Sequence, residues 1–172
     1  IEPSRLAAEA AQSSGVPTVN EFLTIELAER IKASSGPADL VVANNVLAHV
    51  PAPQELLQAL EALVSANGLV VCEFAYLLDL IEKNQFDTIY HEHYSYLSLQ
   101  AVEELGKSVG LEVIDAKRLK SHGGSLRVTF VPMRRKRAPK PTDSLNNLRQ
   151  AEVNMAIHSE STRSEFQKQV QL

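Results

Sequence analysis

Apolar positions along this chain follow two rhythms. Residues 38–43 are apolar without alternation apart from Asp39, and residues 69–74 repeat the pattern with Glu73 near the end. Unbroken runs of this length predict strands buried on both faces, as in the middle of a parallel sheet. After Pro53, the spacing of Leu56, Leu57, Leu60, Leu63 and Val64 predicts an amphipathic helix ending near Asn67-Gly68. Residues 4–14, bounded by Ser4 and Gly15, predict a helix, as do residues 24–34, closed by Gly36-Pro37. Residues 76–84 read as a short helix, and residues 98–109 as a longer one opened by Ser98 and stopped by Gly110.

Residues 16–19 predict a short strand, with residues 20–22 as the turn after it. Residues 111–119 and 125–131 predict two antiparallel neighbours, because only Lys120-Ser121-His122-Gly123-Gly124 joins them. Together these elements predict an α/β fold whose mostly parallel sheet ends in an antiparallel terminal hairpin at one edge. Residues 1–133 read as one α/β domain and residues 134–142, RRKRAPKPT, as a basic Pro-containing linker. Residues 143–172 read as one polar helix. Its sparse apolar positions, Leu145, Leu148, Met155, Phe166 and Val170, are expected to pack on a lobe outside this chain.

Composition narrows the class. With 172 residues, 44% hydrophobic and 22% charged, the chain can bury one sizeable core. No apolar run approaches the roughly 20 residues of a membrane span and no leader-like segment opens the chain, which predicts a cytoplasmic protein. Net charge of −4 argues against general nucleic-acid binding. Residues 116–142 nevertheless carry nine Lys or Arg and no Asp or Glu. A single cysteine, Cys72, within an apolar run, reads as a buried inert thiol. The start at Ile1-Glu2-Pro3-Ser4 reads as the end of a strand in a longer protein.

Candidate chemistry concentrates in Phe86-Asp87-Thr88-Ile89-Tyr90-His91-Glu92-His93-Tyr94-Ser95-Tyr96. An imidazole beside a carboxylate and phenols has the parts of a tuned general base, since histidine changes charge near neutral pH. Ligands of open parallel sheets bind beyond the carboxyl ends of the strands. That rule gathers Glu2, the Asn20-Glu21-Phe22 turn, Asn44-Asn45 with His49, residues 73–76 and the histidine-rich stretch at one edge. A metal reading of His91, His93, His49 and Glu92 competes, although a His-x-His pair alone is a weak signal. His122 also has a purely structural reading, as a residue of a hairpin that needs positive φ.

The acidic residue of Ile1-Glu2-Pro3-Ser4, followed by Asn44-Asn45-Val46-Leu47-Ala48-His49-Val50-Pro51 after a buried strand, resembles the Rossmann-like, class I S-adenosylmethionine-dependent methyltransferases. Phe86-Asp87-x-Ile89-Tyr90-His91-Glu92-His93 with His122-Gly123-Gly124-Ser125-Leu126-Arg127 resembles a narrower family, the C-methyltransferases of nucleotide-linked keto-deoxysugars in deoxysugar biosynthesis. The resemblance runs from residue 1 to about residue 131. It implies an upstream zinc-binding domain and a first strand with a Gly-rich loop, and a carboxy-terminal lobe downstream, all outside this chain.

It further implies S-adenosylmethionine as cofactor, with zinc only in the upstream domain, and a small-molecule sugar nucleotide as substrate. Glu2 would hold the ribose hydroxyls, Glu21 and Phe22 would border the adenine, and Asn44 would line the cofactor pocket. His93 would be the base that removes a proton next to the sugar ketone, with Tyr90, Glu92 and His49 around it. Two other readings stay open. One is a methyltransferase for another small-molecule acceptor, and the other is a truncated, non-catalytic interaction domain.

Overall fold

A computed structural model describes residues 1–171, so residue 172, the last of the expected terminal helix, lies outside the described residues. The elements are α1 (Arg5–Ser13), α2 (Ile25–Ser35), β1 (Ala38–Asn44), α3 (Pro53–Leu63), β2 (Val64–Ala75), α4 (Leu77–Glu82), α5 (Leu99–Ser108), β3 (Leu111–Leu119), β4 (Ser125–Pro132), α6 (Asp143–Met155) and α7 (Glu160–Val170). Short 3-10 turns at Leu47–His49, Phe86–Thr88 and Ser121–Gly123 fall between them. Helix starts follow local chemistry. Thr24, Ser98 and Thr142 each accept a backbone N–H with their hydroxyl oxygens, from Leu27, Ala101 and Leu145, and Pro53 opens α3, where a missing N–H costs nothing.

The four strands form one mixed sheet in the order β1-β2-β4-β3. β1 and β2 are parallel, while β4 is antiparallel to both of its neighbours. Three strands therefore run one way and only β4 is reversed. The expected hairpin is present, but its reversed strand is inserted between β2 and β3, and β3 takes the edge. Burial explains the insertion. β4 hides Leu126, Val128, Phe130 and Val131 completely, whereas β3 alternates and exposes Glu112, Lys117 and Arg118 to different degrees.

Several sequence expectations change in the folded chain. β1 alternates instead of being buried throughout, with Val41 and Ala43 inside and Leu40 and Val42 more than half exposed. Its outer edge has no paired strand among the described residues. Residues 16–19 form no strand, although the Glu2 N–H bonds the Val19 carbonyl at 2.9 Å. α3 ends at Leu63 and β2 begins at once, with a register shift against β1 that passes residues 65–68.

The expected terminal helix is two helices. Ala156 takes a left-handed conformation (φ 49°), Ile157 turns into the core, and Ser159 restarts the helix by accepting the Thr162 N–H. α6 does not wait for an external lobe. Leu145 is fully buried, and Leu148, Ala151 and Met155 pack against the core beside β3 and α5. The basic segment is likewise tied down at its start. Arg134 donates to the carbonyls of Glu61 and Val64 and pairs with the Glu61 carboxylate, and Arg135 donates to the Asn67 carbonyl. Arg134 thus satisfies carbonyls left free where α3 ends.

Candidate active site

β1, β2 and β3 end at the same side of the sheet, so the segments leaving Asn44, Ala75 and Leu119 converge there. A cleft of about 240 Å³ opens between them. Its walls include Asn45 and His49 from the β1 side, Tyr76 after β2, Thr88, Tyr90, His93 and Tyr96 from the histidine-rich segment, and His122 from the β3–β4 turn. No Lys, Arg, Asp or Glu belongs to this lining.

Backbone bonds hold the histidine-rich segment in place. The N–H groups of Tyr94 and Ser95 both reach the Ala48 carbonyl, at 2.9 and 3.3 Å, and the His93 N–H closes a turn on the Tyr90 carbonyl at 3.0 Å. The segment is docked against the 3-10 turn that carries His49. The two imidazoles consequently stand 4.7 Å apart between ring centroids, with Tyr90 tilted 36° against His93 at 4.3 Å and Tyr96 edge-on at 5.9 Å.

Each imidazole is oriented by a backbone oxygen. His93 Nδ1 lies 2.9 Å from the Thr88 carbonyl, and His49 Nδ1 lies 3.0 Å from the Glu92 carbonyl. A carbonyl can only accept, so each Nδ1 carries a proton, which leaves Nε2 as the nitrogen that can accept one. His93 Nε2 sits 3.3 Å from the Tyr90 hydroxyl. One ring nitrogen of His93 is thus held by a backbone carbonyl, and the other is shared with the Tyr90 hydroxyl.

The remaining candidates separate into two groups. Glu92 enters this constellation through its carbonyl, while its side chain is exposed and lies outside the cleft lining, as does His91. Among the described residues, no three His, Cys, Asp or Glu side chains converge as a metal-ligating group, so the metal reading has no ligand set there. The four expected cofactor contacts lie outside the cleft lining, and Asn44 directly precedes Asn45, which lines it. Asn20 Nδ2 donates to the carbonyls of Glu2 and Pro3 at 2.8 and 3.0 Å, which fastens the loop of Glu2 to that of Glu21 and Phe22.

One Glu2 oxygen accepts the Ser4 N–H at 2.8 Å and the other makes no hydrogen bond among the described residues. Phe22 leaves three quarters of its surface exposed. Glu21 is committed elsewhere, to an ion pair with Arg30 at 2.5 Å. Arg127, of the His122–Arg127 motif, pairs with the buried Glu73 at 2.9 Å, and Ser121 donates to the other Glu73 oxygen. Sequence reasoning missed Thr88 and Gln85. Thr88 acts through a carbonyl, which leaves no side-chain signal.

A mixed α/β domain with a cleft beyond its strand ends defines a Rossmann-like domain. A family model for a methyltransferase domain matches residues 1–116, and the chain belongs to that family. The chain is 40% identical over 132 residues to the C-methyltransferase NovU of Streptomyces niveus, covering 77% of this chain and 31% of that protein. It therefore spans about a third of that relative's length. Among solved structures, a SAM-dependent methyltransferase of Thermotoga maritima superposes with a TM-score of 0.55 at 16% identity, covering 76% of this chain and 70% of the other. The magnesium protoporphyrin IX methyltransferase ChlM of Synechocystis PCC 6803 gives 0.53 at 15% identity, covering 76% and 56%. These likenesses establish the Rossmann-like methyltransferase fold.

Proposed function

We propose that this chain is the core of an S-adenosylmethionine-dependent C-methyltransferase that acts beside the ketone of a nucleotide-linked keto-deoxysugar, in cytoplasmic deoxysugar biosynthesis. The observation that carries the reading is the pinned His93 imidazole, whose Nε2 meets the Tyr90 hydroxyl at 3.3 Å in a cleft lined by no carboxylate. Likeness to the C-methyltransferase NovU supports carbon as the methyl acceptor.

The residues fit the cofactor. A carboxylate with an uncommitted oxygen at Glu2 suits the ribose diol, and the exposed ring of Phe22 suits an adenine face. Glu21 would border the adenine through its loop, with its carboxylate held by Arg30. Asn44 would line the pocket next to the cleft. When bound, S-adenosylmethionine supplies an electrophilic methyl group, which bonds to the acceptor carbon as its bond to sulfur breaks.

His93 Nε2 accepts the proton from the carbon next to the ketone. The electron pair of that C–H bond moves into an enolate, with charge on the former carbonyl oxygen. Thr88 keeps the His93 ring oriented by holding Nδ1–H, and the imidazolium formed retains this bond. Tyr90 and His49 bound the space in which the acceptor carbon must lie, and Glu92 orients His49 through its carbonyl. After methyl transfer the ketone reforms and His93 releases its proton to solvent.

The test uses the full-length protein, S-adenosylhomocysteine titrated calorimetrically and turnover of a nucleotide-linked keto-deoxysugar. The protein is expected to bind S-adenosylhomocysteine, and His93→Ala to bind it equally well while turnover falls about a hundredfold to ten-thousandfold. Unchanged turnover would reject His93 as the base. Failure of the full-length protein to bind would reject the cofactor and favour a non-catalytic interaction domain.

A further inference from the structure

We infer that His122 is a substrate-binding imidazole of the same cleft, donating a hydrogen bond to the acceptor's carbonyl oxygen while His93 takes the proton from carbon. The inference rests on the enolate reading above and adds the partner that reading needs, because charge leaving the C–H bond collects on oxygen.

Residue 122 occupies the left-handed region (φ 50°, ψ 39°), where a non-glycine residue is strained by about 1–2 kcal/mol. Gly123 and Gly124 follow at φ 82° and 147°, so the turn already contains residues that adopt such angles freely. The surrounding structure clamps it. Lys83 Nζ and Gln85 Nε2 both donate to the Gly123 carbonyl, at 2.5 and 3.0 Å. The Gly124 N–H reaches the Ser121 carbonyl at 2.9 Å, and the Gly124 carbonyl accepts the Tyr76 N–H at 3.2 Å.

Every one of those bonds uses backbone of the turn, and none uses the imidazole. Among the described residues the His122 ring makes no hydrogen bond or ion pair, whereas His49 and His93 each have Nδ1 engaged. His122 nevertheless lines the cleft with them. With no Lys or Arg in the lining, an oxyanion formed there depends on neutral or imidazole donors. The Tyr90 hydroxyl is already beside His93 Nε2. The His122 ring, with neither nitrogen in a hydrogen bond among the described residues and carried on a clamped turn, can donate without breaking an existing bond.

The discriminating substitution is His122→Gly in the full-length protein, because glycine suits the φ of this position while the imidazole is lost. With S-adenosylmethionine and a nucleotide-linked keto-deoxysugar as probes, turnover is expected to fall about a hundredfold and to recover partly on addition of free imidazole. The thermal midpoint is expected not to fall, and S-adenosylhomocysteine affinity to stay unchanged. His122→Asn, which keeps an N–H donor and tolerates left-handed backbone, is expected to retain more activity than the glycine variant.

Exchange of the substrate's acidic C–H in deuterated water without cofactor separates the two proposals. A parent protein that neither exchanges nor methylates sinks the enolate reading and this inference together. A parent that does both, while folded His122→Gly stays within twofold of it, overturns the inference alone and leaves His122 a turn residue.

Discussion

Gly124 is the residue whose missing side chain matters most near the site. A Cβ there would lie 2.3–2.5 Å from Asp79 Cγ, Cβ and Oδ1, and φ is 147°. Asp79 is 1% exposed and cannot retreat, because Arg118 holds it through two bonds of 2.9 Å and Lys83 through a third contact. Gly124→Ala is therefore expected to destabilise the protein by about 2 kcal/mol, read as a lower urea midpoint. An unchanged midpoint would mean that Asp79 can move after all. At this scale the sequence was partly legible. His93, Tyr90 and His49 do come together, but Glu92 contributes a carbonyl instead of its carboxylate, and the Thr88 carbonyl orients His93. Backbone oxygens are common to every residue, so only the fold can say which one faces an imidazole.

Among the elements, α6 is attached by chemistry its sparse apolar pattern does not reveal. Glu152 is buried, and its two oxygens accept the N–H groups of Leu99 and Gln100, at 2.5 and 3.0 Å, at the start of α5. With Ser98 accepting the Ala101 N–H, three of the four free N–H groups of that helix are satisfied. The carboxylate also faces the positive end of the α5 dipole. Glu152→Ala would leave two N–H groups without partners in a buried place, at a cost of about 2–3 kcal/mol in denaturant unfolding. Glu152→Gln keeps one acceptor oxygen and is expected to fall between the two. A loss below 0.5 kcal/mol for the alanine variant would mean that water replaces the carboxylate.

Across the whole molecule, two buried carboxylates join the strand ends that support the cleft. Glu73 on β2 pairs with Arg127 on β4, and Asp79 on α4 pairs with Arg118 on β3. Burial pushes both carboxyls up. That push is outweighed for Glu73 by hydrogen bonds from Arg127 and Ser121, and for Asp79 by those from Arg118 and Lys83, so both lie below their ordinary values of 4.5 and 3.8. A carboxyl whose folded value is lowered contributes stability above its unfolded value and loses it as pH falls through the folded one. The thermal midpoint is thus expected to decline as pH drops below about 4.5, with Glu73→Gln combined with Asp79→Asn flattening that decline. A double variant with the parent's full pH dependence would show that other carboxyls dominate. The Cys72 thiol, pushed up to about 12 by burial, has no part in this range.

Local pattern alone determined most elements here, because apolar spacing and capping residues act over a few residues and need no distant partner. It also marked His93 and His49 by residue type. Tertiary structure decided the rest. The long apolar run of β4 could have been an edge or a centre, and only pairing with both β2 and β3 put it inside. The exposed half of β1, the break at Ala156 and the burial of Glu152 all depend on which surfaces meet. The cleft belongs to that category too. Its imidazoles, at positions 49, 93 and 122, come from segments 44 and then 29 residues apart along the chain, and only the convergence of three strand ends brings them to one cavity.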